Sequence, residues 1–201
     1  VFAYFLGRFT AGMPYAVIVT CLFYGAISGS APATVAAVGS MTIPILTTLG
    51  YDLTFSTAIV AVAGGLGVII PPSIPFIMYG MASGASVSDL FLAGIVPGLM
   101  IGVLLMLYAI YYCKRYGEDK EKIHAEVKIL HDKGLLKVLK ESFFALLSPV
   151  IILGCIYSGI ASPTEAAVIS VFYALIISLF VYRSIKIKEI WGILVEAIRT
   201  F

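Results

Sequence analysis

Hydrophobic positions along this 201-residue chain fall into long apolar blocks, and polar positions fall into the shorter segments between them. The blocks at 89–113, 143–160 and 163–182 are each long enough, at about 1.5 Å per helical residue, to cross the hydrocarbon core of a bilayer. Residues 114–141 hold most of the charges and predict a surface helix. In the final segment, 184–201, apolar and charged positions repeat at helical spacing, which predicts an amphipathic arm lying along the membrane interface.

The N-terminal part of the chain has a different pattern. Residues 1–14 read as the end of a preceding scaffold helix and a boundary, and 15–49 contain two short apolar limbs around a small polar tip at 28–34. Because neither limb reaches the length of a full span, we predict a re-entrant hairpin. Ser30 is placed to cap the second limb and Pro32 lies in its first turn, so free backbone N–H groups would face the middle of the membrane.

Residues 52–82 are apolar but cannot form one regular helix. Glycine weakens a helix and proline removes a backbone donor, and both are concentrated near the middle of this segment. The residues concerned are Gly64, Gly65, Gly67, Pro71, Pro72 and Pro75. Irregular backbone at membrane depth is tolerated only where protein covers it or where it lines a wet cavity. We therefore predict a broken transmembrane helix and a binding site at the break.

Composition supports a polytopic all-α membrane protein. The chain is 61% hydrophobic and 12% charged, with a mean hydropathy of +1.06, well outside the range of soluble domains. The net charge of +2 argues against a nucleic-acid partner. Eight of the 13 Lys and Arg residues lie in 114–140, so this segment is predicted to be cytoplasmic. Counting crossings back from it places 83–88 outside and the open end of the hairpin inside.

Cysteine and histidine residues do not form a recognisable metal-binding or disulfide pattern. The three cysteines lie far apart and both histidines fall in the charged segment; they are Cys21, Cys113, Cys155, His124 and His131. This spacing argues against a zinc site and against a disulfide framework. We expect no cofactor.

Four motifs in order give the chain a family resemblance. They are SGSAPATVAAVGS at 28–40, GVIIPPSIP at 67–75, DLFLAGIVPG at 89–98 and PTEAA at 163–167. Together they resemble the large membrane subunit of tripartite ATP-independent periplasmic (TRAP) transporters. That subunit has two inverted halves, and this chain resembles only part of the first half and the start of the connection beyond it. We therefore expect a piece of a longer protein that does not transport by itself.

The resemblance implies a secondary transporter component and not an enzyme. It implies sodium-driven import of organic acids, of the C4-dicarboxylate or sialic acid class, by an elevator movement of one domain against a scaffold. The implied partners are a small membrane subunit and a periplasmic substrate-binding protein, and the implied location is the bacterial inner membrane. Membrane lipid would surround the chain.

The resemblance also implies a sodium site between the hairpin tip and the break. Its residues would be Ser28, Gly29, Ser30, Gly64, Gly67, Val68 and Pro71. Hydroxyl and carbonyl oxygens suit a hard cation and avoid a buried carboxylate, which is expensive at this depth. Thr34 and Ser73 are neutral hydroxyls expected to contact a substrate carboxylate or its water shell.

Other readings of these residues remain open. The architecture also fits a sodium/divalent-anion symporter that needs no binding protein. Asp52 and Asp89 could form the acid and base of an intramembrane aspartyl protease, but both lie at predicted helix ends on opposite sides of the membrane, where helix capping explains them better. The small polar residues of the tip could simply allow helices to pack closely.

Overall fold

The computed structural model describes residues 1–132 and 134–200, and in that part of the chain all regular structure is helical. Side chains are described except at Leu130 and at 196–200. The α-helices in chain order are α1 (Phe2–Leu6), α2 (Gly12–Ser28), α3 (Ala31–Thr48), α4 (Leu53–Gly65), α5 (Ile74–Ser83), α6 (Val87–Tyr116), α7 (Lys120–Asp132), α8 (Leu135–Tyr157), α9 (Pro163–Ile176) and α10 (Ile187–Thr200). The chain divides into two compact units, Val1–Phe143 and Phe144–Phe201.

The core of the first unit lies where α2, α3 and α4 pack together. Its side chains are small or branched and are almost fully excluded from solvent, which lets three helices approach closely. They include Ile18, Cys21, Val38, Leu46, Val60 and Ala63. Residues at the C-terminal end of α6 join this cluster, among them Ala109 and Cys113.

The helices of the N-terminal hairpin are longer than the sequence pattern suggests. α2 has 17 residues and α3 has 18, and α3 meets the length and hydropathy of a membrane span. The pattern underestimates α2 because Gly12 and Pro14, in its first turn, resemble a boundary. It underestimates α3 because the threonines at its C-terminal end donate to their own helix: the Thr47 hydroxyl bonds the Ile43 carbonyl at 3.0 Å and the Thr48 hydroxyl bonds that of Pro44 at 2.8 Å. Such back-bonding lets a polar residue continue a helix.

The predicted interruption in 52–82 is present. α4 ends at Gly65, a single 3₁₀ turn covers Leu66–Val68, and regular structure resumes only at Ile74. Each half of the broken helix is capped at its N-terminal end. The Asp52 carboxylate accepts from the Phe55 N–H of α4 at 3.1 Å, and the Ser73 hydroxyl accepts from the Phe76 N–H of α5 at 3.4 Å. Asp52 therefore has the capping role that the sequence favoured over a catalytic one.

The charged segment forms α7, as predicted, and the break falls at Gly134, whose φ is +79°. Ile123 and Val127 are buried on one face of this helix. Glu118 and Asp119, which precede α7, contact the open end of the α2–α3 hairpin. The hairpin mouth and the charged segment thus lie at the same end of the first unit, as the predicted orientation requires.

In the second unit, α9 begins with a full capping box. The Ser162 hydroxyl accepts from the Glu165 N–H at 3.3 Å, and the Glu165 carboxylate accepts from the Ser162 N–H at 2.8 Å, which fixes the helix start that the Ser-Pro-Thr-Glu sequence predicts. A π-helical turn, Ile177–Val181, follows α9. α10 begins at Ile187, and its Trp191 is 75% exposed. Phe201 of the predicted arm lies outside the described residues.

Among the described residues, four helices are long and apolar enough to cross a membrane. They are Ala31–Thr48, Val87–Tyr116, Leu135–Tyr157 and Pro163–Val181. The shorter apolar helices are α2, α5 and the Leu53–Val68 segment. With 61% hydrophobic residues in the chain, these helices define a multi-pass membrane protein.

Two adjacent residues on α6 test the packing of the first unit. Phe91 is fully buried, whereas the neighbouring Leu92 is 53% exposed. We expect Phe91→Ala to lower the free energy of unfolding by about 3 kcal/mol because it leaves a cavity. Leu92→Ala is the matched control and should have a much smaller effect. Thermal unfolding of the purified full-length protein in detergent measures both, and equal losses would contradict the packing described here.

Candidate functional site

The turn between α2 and α3 is a compact tip built by small residues. α2 ends at Gly29, whose left-handed backbone (φ +61°) turns the chain, and Ser30 is extended and occupies the cap position of α3. The Thr34 hydroxyl donates to the Ser30 carbonyl at 2.8 Å and lies 2.9 Å from the Ser28 hydroxyl. The hydroxyls of Ser28 and Thr34 and the carbonyl of Ser30 are thus grouped at the tip.

The break between α4 and α5 is held by one buried hydroxyl. Ser73 is fully buried, and its hydroxyl donates to the Val68 carbonyl at 2.6 Å while also capping α5. Within this segment the peptide bond between Pro71 and Pro72 is cis. Ser73 therefore joins the last turn before the break to the first turn after it.

The tip and the break are in direct contact, as expected if the two elements pack together. The N–H of Ile74, the first residue of α5, donates to the Gly29 carbonyl at 3.3 Å. A Cβ atom on Gly67 would lie 2.6 Å from the Thr34 hydroxyl oxygen and 3.2 Å from the Ser30 carbonyl oxygen. Only a glycine permits this approach, so the backbone of the break rests directly on the polar atoms of the tip.

Two further glycines, on α2 and α6, also lie against the backbone of the break. A Cβ atom on Gly25 of α2 would lie 2.6 Å from the Gly67 Cα atom, and one on Gly94 of α6 would lie 2.6 Å from the Ile69 carbonyl oxygen. Gly25 and Gly94 were not among the predicted site residues. Both are small residues inside an apolar helix, which is typical of helix packing in membranes. Gly94 also lies in the DLFLAGIVPG motif.

We refer to the contact between the tip and the break as the junction. It contains no charged side chain and is rich in oxygen atoms. No charged residue occurs in 9–51 or in 53–88, which together contain the whole hairpin and both halves of the broken helix. The N-terminal ends of α3 and α5 meet here, since Ile74 bonds Gly29 immediately before Ser30. Helix N-termini carry partial positive charge, whereas carbonyl and hydroxyl oxygens attract cations. The junction can therefore interact with an anion and a cation side by side.

The predicted sodium residues lie at this junction. Ser28, Gly29 and Ser30 form the tip, while Gly64, Gly67, Val68 and Pro71 belong to the end of α4 and the break. Gly64 faces Val35 of α3, with the Val35 nitrogen 3.2 Å from the position of a Cβ atom. Ser30 differs from the other two tip hydroxyls: its side chain makes no hydrogen bond to any residue that the structure describes.

The two predicted substrate residues have a different environment from the one expected. Thr34 and Ser73 are both fully buried, and their hydroxyls already bond within the chain, to Ser30 and to Val68. In this conformation they stabilise the tip and the break. A substrate contact at either residue would have to replace these bonds.

The fold and this junction define a class of protein, a multi-pass helical membrane protein with a polar site at a helix interruption. Comparison with known proteins identifies the family. Residues 1–201 match the family described as "Tripartite ATP-independent periplasmic transporter, DctM component", so the chain belongs to that family.

Curated relatives agree with this assignment. The chain is 48% identical to the isethionate TRAP transporter permease protein DctMQ of Oleidesulfovibrio alaskensis, over 97% of this chain and 30% of the relative. It is 41% identical to the C4-dicarboxylate TRAP transporter large permease protein DctM of Pseudomonas aeruginosa, over 96% of this chain and 44% of the relative. It is 40% identical to the ectoine TRAP transporter large permease protein TeaC of Halomonas elongata, over 94% of this chain and 43% of the relative. The chain therefore spans less than half the length of these relatives.

Two glycines in the same segment test the contact between tip and break. A Cβ atom on Gly67 would overlap the Thr34 hydroxyl, whereas one on Gly65 would meet nothing within 4 Å. We expect Gly67→Ala to lower the melting temperature of the full-length protein by several degrees, since a loss of about 1 kcal/mol shifts it by a few degrees. Gly65→Ala should leave it unchanged or slightly higher, because alanine favours the helix. Equal effects in thermal unfolding would show that the two segments are not in close contact.

Proposed function

We propose that this chain is part of the large permease of a sodium-coupled TRAP transporter that imports small organic acids. The observation that carries the proposal is the junction of the hairpin tip with the helix break, where neutral oxygens and two helix N-termini converge. Family membership supports it. The chain would supply one half of the transport site, and the remainder of the longer protein would supply the rest.

Sodium is the coupling ion that this oxygen set favours. A hard monovalent cation needs several oxygen ligands but no buried carboxylate, and a neutral site avoids the cost of an unpaired charge in the membrane. Ser30 is the strongest side-chain candidate because its half-buried hydroxyl has no partner among the described residues. Interrupted helices in secondary transporters use unwound carbonyls in the same way.

The helix N-termini at the junction favour an acidic substrate. The N-terminal ends of α3 and α5 place the positive ends of two helix dipoles at the junction, which stabilise a carboxylate or sulfonate. The Ile74 and Phe76 N–H groups of α5 are already bonded to Gly29 and Ser73. Relatives are named for isethionate, C4-dicarboxylate and ectoine. We therefore propose a small organic acid as substrate and retain sialic acid as one member of the panel to be tested.

The proposed partners are a small membrane subunit and a periplasmic substrate-binding protein, in the inner membrane of a bacterium. The relative with 48% identity carries the fused name DctMQ, which supports a close association of large and small permease components. Movement of the transport domain by an elevator mechanism is part of the same proposal.

Uptake into proteoliposomes tests the proposed function. The full-length parent of this chain would be reconstituted with its small membrane subunit and given a panel of labelled organic acids, with and without a sodium gradient and with and without the periplasmic protein. We expect uptake that requires both the sodium gradient and the periplasmic protein. Uptake that requires the gradient alone would support a sodium/anion symporter that needs no binding protein. Peptide cleavage lost on mutation of Asp52 or Asp89 would support a protease and contradict both.

Ser30 provides a sharper test of the sodium site. Ser30→Ala removes a hydroxyl that has no described partner, so we expect a KM for sodium about ten-fold higher, corresponding to about 1.4 kcal/mol, with little change in melting temperature. Ser40→Ala on the exposed side of α3 is the matched control and should leave both quantities unchanged. Sodium-dependent uptake and thermal unfolding measure the two effects. An unchanged sodium KM in Ser30→Ala would contradict this role.

A further inference from the structure

The two ends of the α2–α3 hairpin both donate hydrogen bonds to the same carboxylate, that of Glu118, which lies outside the hairpin. Ala11 immediately precedes α2, and Tyr51 follows α3 in the turn before α4; we refer to these two residues as the hairpin base. The Ala11 N–H donates to both oxygens of Glu118, at 3.0 and 3.1 Å, and the Tyr51 hydroxyl donates to one of them at 2.5 Å. Glu118 lies in the connection after α6, distant in sequence from both.

The backbone at Ala11 needs such support. Its φ of 59° and ψ of 20° are left-handed, a conformation that alanine rarely adopts, and the residue is fully buried. A left-handed non-glycine residue persists only where its surroundings hold it. Glycine follows at position 12, where a Cβ atom would lie 2.9 Å from the Gly7 Cα atom. The entry into α2 is therefore tightly packed and strained, and Glu118 satisfies its buried N–H.

Tyr51 is likewise held in position to donate a hydrogen bond to this carboxylate. It is 7% exposed and stacks on Phe55, which stacks in turn on Tyr112 of α6. Burial, followed by the hydrogen bond to Glu118, raises the pKa of the Tyr51 hydroxyl above its ordinary value. The hydroxyl thus stays protonated and donates to Glu118 at all physiological pH values.

The position of the base controls the position of the tip. α2 is an uninterrupted helix of 17 residues, so the distance from base to tip is about 25 Å and a rotation of about 5° at the base would move the tip by about 2 Å. Such a displacement is large compared with the tolerance of an ion site, about 0.2 Å in each ligand distance. The tip at Ser28–Ser30 contains three of the proposed sodium residues.

We propose that Glu118 is a positioning residue: it fixes both ends of the hairpin, through the Ala11 N–H and the Tyr51 hydroxyl, and thereby sets the tip against the helix break. This inference rests on the proposed function for its effect on transport, but its effect on structure is independent of that function. The hydrogen-bond partners of the Glu118 carboxylate, Ala11 and Tyr51, are not among the proposed sodium or substrate residues.

The experiment combines hydrogen exchange with sodium-dependent uptake in the reconstituted full-length transporter. The variants are Glu118→Ala, Glu118→Gln, Tyr51→Phe and the control Glu121→Ala, whose exposed carboxylate makes no hydrogen bond or ion pair with any described residue. We expect Glu118→Ala to speed amide exchange at least ten-fold in peptides that contain Ala11 and in those that contain the tip, and to raise the KM for sodium several-fold. Glu121→Ala should change neither.

The conservative variants distinguish positioning from general destabilisation. The amide of Glu118→Gln keeps one oxygen that can accept a hydrogen bond, but its NH2 group replaces the second acceptor, so it should restore part of the protection and part of the sodium affinity that Glu118→Ala loses. Tyr51→Phe should give a partial loss, and combining it with Glu118→Ala should add little to Glu118→Ala alone.

Three results would overturn the inference. They are unchanged exchange in Glu118→Ala, faster exchange confined to Ala11 with a protected tip and an unchanged sodium KM, and a full additive loss in the double variant. If the unmodified transporter takes up no substrate under a sodium gradient, the proposed function fails, whereas the exchange measurements still decide the role of Glu118.

Discussion

The requirement that every buried backbone polar group find a partner organises the first unit. A helix that stops inside an apolar structure leaves N–H and C=O groups bare, and neither apolar side chains nor lipid can bond them. Here two interrupted elements satisfy each other: the start of α5 donates to the Gly29 carbonyl, and the Ser73 hydroxyl bonds the Val68 carbonyl across the break. The site is therefore a consequence of how the interruptions are stabilised, and neither element could keep its shape alone.

Close approach of the helices follows from the same requirement. Hydrogen bonds between the tip and the break need the two backbones in contact, so the contact positions must lack side chains. Gly67 meets the tip, while Gly25 and Gly94 bring α2 and α6 onto the break. Gly65 lies in the same segment but faces open space. Position in the packed structure decides which glycine is required, and a count of glycines does not.

The sequence alone predicted those features that depend on local chemistry. Prolines and glycines located the break, Ser-Pro-Thr-Glu located the start of α9, and Asp52 was correctly expected to cap α4. Features that depend on distant partners were not predictable. The burial of Thr34 and Ser73 depends on how the tip packs against the break. The bonds of Glu118 to Ala11 and Tyr51 join residues 107 and 67 positions apart. The lengths of α2 and α3 were also underestimated, for local reasons: Gly12 and Pro14 resemble a boundary, and the bond from Thr48 back to Pro44 is invisible in a hydropathy pattern.

Charge is placed differently at the two ends of the hairpin. Residues 9–51 and 53–88 carry no charged side chain, so neither the tip nor the break contains a buried protein charge that would need a partner. A carboxylate occurs instead at the hairpin base, where Glu118 is only partly buried and accepts from two donors. Charge-assisted hydrogen bonds are stronger than neutral ones, so the hairpin is held firmly at its base. The neutral contacts at its tip are the weaker ones, and under the proposed function this is the end at which an ion would bind and leave.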